Sequence, residues 1–206
     1  MASGEQDVAM TTNGPRKGGD TADRILDVAQ RLVQQRGFNG FSYADVAQEL
    51  GITTASLHYH FAGKAELGEA LVARYAARFA DELGAIAAEP IDAPDKLARY
   101  ADLYAEVFED QRMCLCGMLA AEYQTLPDGM RDAVLRFFDD SEMWLSTVLT
   151  QGVREGTIRL DGSVSEAART FLAGLEGAML LARPSGDIER LQAATRGLLT
   201  GLTSVP

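Results

Sequence analysis

The stretch of this chain whose residue types and spacing point to a chemistry runs from Ser42 to Phe61, Ser-Tyr-Ala-Asp-Val-Ala-Gln-Glu-Leu-Gly-Ile-Thr-Thr-Ala-Ser-Leu-His-Tyr-His-Phe. It reads as two short helices crossing through a sharp turn, the geometry with which a helix-turn-helix protein enters the DNA major groove. Ser42 is placed to cap the first helix, and Val46 and Leu50, four apart, give that helix one apolar stripe. Ala47 lies between them and is small enough for a second helix to come close. Gly51 ends the first helix where a left-handed residue is needed. Ile52 is expected to bury itself at the turn, Thr53 to cap the second helix, and Leu57 and Phe61 to carry its apolar face. The chemistry of such a hairpin is recognition of phosphates and base edges.

Other chemistries find no such pattern. His58 and His60 are the only histidines. Two apart on a helix, they point in different directions, cannot easily share one metal ion, and have no third ligand nearby. No Gly-rich phosphate loop precedes a helix, no Gly-x-Ser-x-Gly elbow occurs, and the Glu-x-x-His pairs of di-iron bundles are absent. Adjacent carboxylates, Glu109 with Asp110 and Asp139 with Asp140, read as solvated helix faces. The sequence nominates no catalytic residue, no metal ligand and no cofactor.

Positioning the hairpin falls to the elements around it. Residues 1–20 show no periodicity and read as a disordered arm, with Arg16 and Lys17 either reaching DNA or simply solvated. From Asp20 or Thr21 a helix begins, with Ile25, Leu26, Ala29, Leu32 and Val33 at helical spacing and Gly37 as its stop. Phe38 and Phe41 flank Asn39-Gly40, a turn that packs two aromatics beneath the hairpin. A long helix follows over residues 64–88, with Leu67, Leu71, Tyr75, Phe79 and Leu83 as a continuous seam before Pro90 and Pro94. The remainder predicts helices over 94–109, 111–125, 128–155, 164–183 and 187–203, and no sheet. The expected fold is all-α: a three-helix head containing the hairpin over 21–65, joined to a helical bundle for ligand binding and dimerisation over 66–206.

Composition is compatible with this arrangement. Of 206 residues, 47% are apolar, enough for a substantial core. The net charge of −11 looks wrong for a nucleic-acid binder, but it is unevenly placed. Residues 16–78 carry eight Lys/Arg against seven Asp/Glu, whereas residues 81–206 carry eleven against twenty-one. A neutral-to-basic reading end on an acidic body limits non-specific binding to DNA. No apolar run approaches the roughly 20 residues of a membrane span, and the first 20 residues lack the apolar stretch of a secretory signal. A cytoplasmic protein with no membrane partner is expected. Cys114 and Cys116 are too few and too close for a disulfide framework.

Residues 51–67, Gly-Ile-Thr-Thr-Ala-Ser-Leu-His-Tyr-His-Phe-Ala-Gly-Lys-Ala-Glu-Leu, closely resemble the TetR family of transcriptional regulators, whose recognition helix ends in a Leu-Tyr-x-His/Tyr-Phe-x-x-Lys-x-x-Leu run. The likeness extends back through Arg24-Ile-Leu-Asp-Val-Ala and Arg36-Gly-Phe. It implies a homodimeric all-α repressor whose body binds a small-molecule effector and sets the spacing of two heads on a palindromic DNA operator. By position it implies that Thr53 binds a phosphate and that Thr54 and Ala55 face base edges. Thr54 would hydrogen-bond there, and Ala55 would offer apolar contact, for instance to a thymine methyl. Tyr43 and Ala44 would approach DNA from the start of the preceding helix. His58 stands where the family usually has tyrosine, Tyr59 follows, and His60 occupies a phosphate-contacting position. Lys64 matches a lysine that grips the DNA backbone at the start of the long helix.

The body offers candidates for the effector. Tyr104, Phe108, Met113, Met118, Tyr123, Trp144 and Met179 are side chains of the kind that line apolar clefts or make an ordinary core. Glu122 and Glu176 lie within apolar helical stretches; buried, each needs a partner or a ligand. Residues 112–127 and 174–183 resemble the branch of the family that responds to acrylate or other electrophiles, in which a cysteine matching Cys114 is reactive. A thiol at a helix start, with Arg112 beside it, would have a lowered pKa; the other reading is a pair of buried inert thiols. The last two helices suit either a dimer interface or an internal core. Their apolar positions are Ala167, Phe171, Leu175, Ala178 and Met179 on one and Leu191, Ala194, Leu198 and Leu202 on the other. Ala173, Gly174 and Gly177 would let backbones approach closely.

Overall fold

The hairpin is built by local capping. In the computed structural model, which describes residues 17–203, α2 (Tyr43–Leu50) opens on a capping box: Ser42 Oγ accepts the Asp45 N–H, and the Asp45 carboxylate accepts the Ser42 N–H at 2.6 Å. These bonds hold the Asp45 carboxyl below its usual range. Gly51, at φ 66°, closes α2, and the Ile52 N–H returns to Ala47 O at 3.0 Å. Thr53 Oγ1 then accepts the Ser56 N–H and starts α3 (Thr54–His60). Leu57 is fully buried beneath α3, in the same apolar cluster as Val46 and Ala47 of α2 and the apolar face of α1 (Lys17–Arg36). Ile52, expected at the core, is only half-buried, as is Leu50.

Helix α1 starts at Lys17, inside the segment read as a disordered arm; residues 1–16, with Arg16 and the rest of that arm, lie outside the described residues. The boundary placed at residue 65 also falls within an element, because α4 (Lys64–Ala88) runs unbroken from head to body.

Beyond α4 come α5 (Ala93–Glu109), α6 (Leu115–Ala121), α7 (Asp128–Glu155), α8 (Val164–Ala182) and α9 (Ile188–Thr203), and no strand occurs among the described residues. Helix α7 packs on α4, α5 and α8, and α9 on α5 and α8. At their centre the rings of Tyr75, Phe79, Tyr100, Tyr104, Phe137 and Trp144 form one connected group. Within the last two helices, Phe171, Leu175, Met179 and Leu191 are buried in their own chain, so these positions make core and not an interface. Outward on α8 stand Leu180 and Leu181, 57% and 72% exposed.

The single helix expected over 111–125 is broken at both ends. Gln111 takes φ 60°, and the Met113 N–H leaves its own helix to bond Gln34 O of α1 at 3.2 Å. Helix α6 ends at Ala121, and the chain tightens into a 3-10 turn at Tyr123–Thr125. That turn brings Glu122 to the head, where its carboxylate accepts the Phe38 N–H at 2.5 Å and the Asn39 N–H at 3.3 Å. Asn39 Nδ2 donates to Thr125 Oγ1 at 2.7 Å, and Arg183 donates to Gln35 O.

Gly37 (φ 84°) makes this approach possible, since a Cβ there would sit 2.7 Å from Glu122 Oε1. Gly51 has the same hand of backbone but open space around it. We expect Gly51→Ala to cost about 1 kcal/mol, from backbone conformation alone. Gly37→Ala should cost at least about 1 kcal/mol more, because it also disturbs charge-assisted hydrogen bonds. Urea unfolding midpoints of the two variants check the order.

Candidate functional site

The outward side of α3 is bare. Thr53, Thr54, Ala55, His58 and Tyr59 are exposed, Tyr59 to 85%, and His60 is half-buried. Thr54 makes no side-chain hydrogen bond among the described residues, and Tyr59 meets only the edge of His60 at 5.2 Å. Ala44 is exposed beside this face. Two neighbours are tied inward. Tyr43 donates its hydroxyl to Phe61 O at 3.1 Å, and burial, helped by the charge of Glu66, pushes its phenol up. His58 Nδ1 lies 3.1 Å from Ala62 O. A carbonyl only accepts, so Nδ1 carries the proton, and Nε2 donates to a phosphate only as imidazolium.

Lys64, assigned to the DNA backbone by the resemblance, has internal partners here. Its ammonium donates to Phe41 O and lies over the rings of Phe38 and Phe41, at 4.7 and 4.3 Å from their centroids. Burial pulls its pKa down against the pull of Glu122 and Asp45. In this structure Lys64 holds the head's own turn.

In the body, four of the nominated residues come together. The Cys114 N–H donates to Met179 Sδ at 3.2 Å, and the Glu176 carboxylate is faced by Cys114 and Tyr104. Phe108 is buried, and Trp144 stacks on Tyr100 at 5.4 Å while donating to Leu83 O. Three others stand apart at the joint with the head. Met118 accepts from Arg183 at 3.0 Å, Glu122 holds Phe38 and Asn39, and Tyr123 lies under Arg131 at 6.0 Å. Glu122 is thus satisfied by backbone and needs no ligand.

Tyr75 and Tyr100, not nominated, complete the cluster. Tyr75 donates to Cys114 Sγ at 3.8 Å, and the hydroxyls of Tyr100 and Tyr104 meet at 3.2 Å. The available signal was a phenol in an otherwise hydrocarbon seam, since a buried hydroxyl needs a partner. Burial pushes the Glu176 carboxyl up, and its Oε1 is buried with no hydrogen-bond partner. Gly117 has no side chain where that carboxylate nests against α6.

The thiols are the reverse of activated. Cys114 and Cys116 are buried, and burial together with the charge of Glu176 pushes both well up. Arg112 pairs with Asp110 and reaches toward Gln34.

Beside the cluster a cleft of about 300 Å³ opens between α4 and α5, floored by Tyr75, Phe79, Ile86, Leu103 and Val107.

Two family models match the chain. One, of bacterial regulatory proteins of the tetR family, covers residues 25–71; the other, a tetracyclin repressor-like C-terminal domain, covers residues 93–198. The chain belongs to the TetR family. A TetR-family transcriptional regulator from Agrobacterium tumefaciens superposes with a TM-score of 0.88 at 33% identity, covering 91% of this chain and 100% of that one. A TetR regulator from Legionella pneumophila does so with a TM-score of 0.82 at 30% identity, covering 93% and 100%. The Escherichia coli transcriptional repressor NemR is 25% identical over 179 residues, 85% of this chain and 90% of that protein. TetR-family proteins are transcriptional regulators, not enzymes; they bind DNA operators and small-molecule effectors, typically as dimers.

The buried thiols of this TetR-family member give a pH test. Their folded pKa values lie above the unfolded value of about 8.5, so the native state holds more protons between the two. Stability is therefore full below about pH 8.5 and falls as pH rises beyond it, by up to about 1.4 kcal/mol per unit per thiol. We expect the urea midpoint to drop from about pH 8 to about pH 10, and a Cys114→Ser, Cys116→Ala double variant to drop less. Parallel curves would remove the thiols as the cause.

Proposed function

We propose that this chain is a ligand-responsive transcriptional repressor that binds a palindromic operator as a homodimer. The observation that carries the reading is the outward side of α3. It is capped by Thr53 and anchored by Leu57, yet it presents Thr54, Ala55 and Tyr59 with no internal use. A rigid helix with free polar and apolar groups suits readout of base edges, with Thr54 bonding a base and Ala55 packing on one. Thr53, Tyr59 and His60 are assigned to phosphates, with Tyr43 and Ala44 flanking the same surface. The head spans residues 21–65 and the sensing and dimerisation body 66–206, working in the cytoplasm. No helix among the described residues is long and apolar enough to cross a membrane.

Two copies are proposed to pair through the outward faces of α8 and α9, where Leu180 and Leu181 are exposed and Gly177, Gly197 and Gly201 leave open space. Each patch would meet its own copy across a two-fold axis. An effector held at the body cluster displaces α6 and α4, and with them the head, shifting the population from the operator-competent spacing. A thiol switch at Cys114 is the weaker reading, because its sulfur is buried and its ionisation disfavoured.

Selection of bound DNA from a random pool should return an inverted repeat. Thr54→Ala should relax preference at one position of each half-site by about 1–3 kcal/mol. Lys64→Ala should lower the unfolding midpoint and leave the slope of log affinity against log salt within about half a unit of wild type. A lost phosphate grip would instead reduce that slope by about 0.9. Recovery of no common sequence, or a complex indifferent to salt, would sink the repressor reading.

A further inference from the structure

Among the described residues three buried side-chain polar atoms lack a hydrogen-bond partner, and Glu176 Oε1 is the only acceptor of the three. An orphan acceptor on a buried carboxylate asks for a donor, and a cationic donor answers the charge as well.

The surroundings match that demand. Tyr104 faces Glu176, and Phe79 meets the rings of Tyr100 and Tyr104 nearly at right angles, at 5.8 and 6.4 Å. Tyr75 stacks on Phe79 at 6.3 Å, and Phe137 lies 5.1 Å away. Carboxylate plus aromatic faces is the combination that holds organic ammonium groups. Tyr75 and Phe79 also floor the α4–α5 cleft, so the same two rings separate solvent from the cluster. At the mouth, Arg99 is paired with Glu89 and Asp102 and Arg78 with Asp27, while Glu82 and Glu106 have no ion pair among the described residues. The route inward is therefore acidic at the rim, aromatic at the floor, and ends at a buried carboxyl with an unpartnered oxygen.

We propose that the effector of this regulator is a small organic cation. It is held with its charged nitrogen against Glu176 and its apolar part on the Tyr75, Phe79 and Tyr104 rings, and reached through the α4–α5 cleft. The proposal rests on reading the body as an effector-binding domain. A cleft of about 300 Å³ sits at the small end of ligand pockets. On this proposal Tyr75 and Phe79 rotate about their side-chain bonds to admit the ligand to the carboxylate. An anionic effector, an acrylate-like carboxylate included, would meet like charge at the rim and again at Glu176.

Trp144, the only tryptophan, stacks on Tyr100 and reports the event. The probes are hexylammonium, hexan-1-ol and hexanoate, equal in chain and different in charge, with benzyltrimethylammonium as a second cation, titrated into the full-length protein. We expect saturable change in Trp144 emission with the cations, at least about tenfold tighter than with the alcohol or the carboxylate. Glu176→Gln, checked for wild-type helical content, should abolish that preference. Equal binding of hexanoate or hexan-1-ol, no saturable binding of either cation, or an unchanged Glu176→Gln overturns the site. A gel shift on the selected operator separates the two readings. Cation-selective binding without any operator complex removes the repressor and leaves this site standing. Cation binding that leaves operator affinity unchanged overturns its assignment as effector.

Discussion

The turn between α1 and α2, residues 37–42, has more hydrogen-bonding groups than its own six residues satisfy, and the rest of the molecule supplies the difference. From the body, the Glu122 carboxylate accepts the N–H groups of Phe38 and Asn39. From α4, Lys64 donates to the Phe41 carbonyl and covers both phenyl rings. An anion on one side and a cation on the other fix the direction in which α2 and α3 leave the turn. Arg183 adds a third hold at Gln35 O, from a residue 148 positions away in sequence. The direction in which α3 leaves the turn is thus set by charges from the start of α4 and from the body, and Glu122, just past α6, ties body to head by a path that does not run along α4.

What the sequence made legible was local. Capping by Ser42 and Thr53, the left-handed close at Gly51 and the seam from Leu67 to Leu83 depend on residues a few positions apart, so their chemistry is visible in a short window. What stayed hidden was reached across space. Nothing near Met113 announces that its N–H bonds to Gln34, and a helix was expected through a place where the chain turns away. The apolar rows of α8 and α9 look the same whether they face their own chain or a copy, and Phe171, Leu175 and Met179 face inward. Lys64 matches a family position by sequence, and its contact with two phenylalanine rings is made across space.

The cysteines show how a sound local rule is outweighed by desolvation. A helix N-terminus favours a thiolate by about 0.3–1 kcal/mol, rising to about 2 kcal/mol at best. Removing a charge from water costs several kcal/mol, and a neighbouring carboxylate adds to it. With α6 only seven residues long and Cys114 buried beside Glu176, burial decides the outcome.

The freedom of Thr54, Ala55 and Tyr59 has a consequence for how such a protein changes over time. These side chains are solvent-facing and hold nothing else in place, so replacing them costs the folded state almost nothing. The bonds that fix α3 run instead through Thr53, Leu57, His58 and the turn beneath it. On the proposed assignment, a lineage can therefore drift to a new DNA address one substitution at a time while its sensor stays intact, and the sensor can diverge while the address is kept.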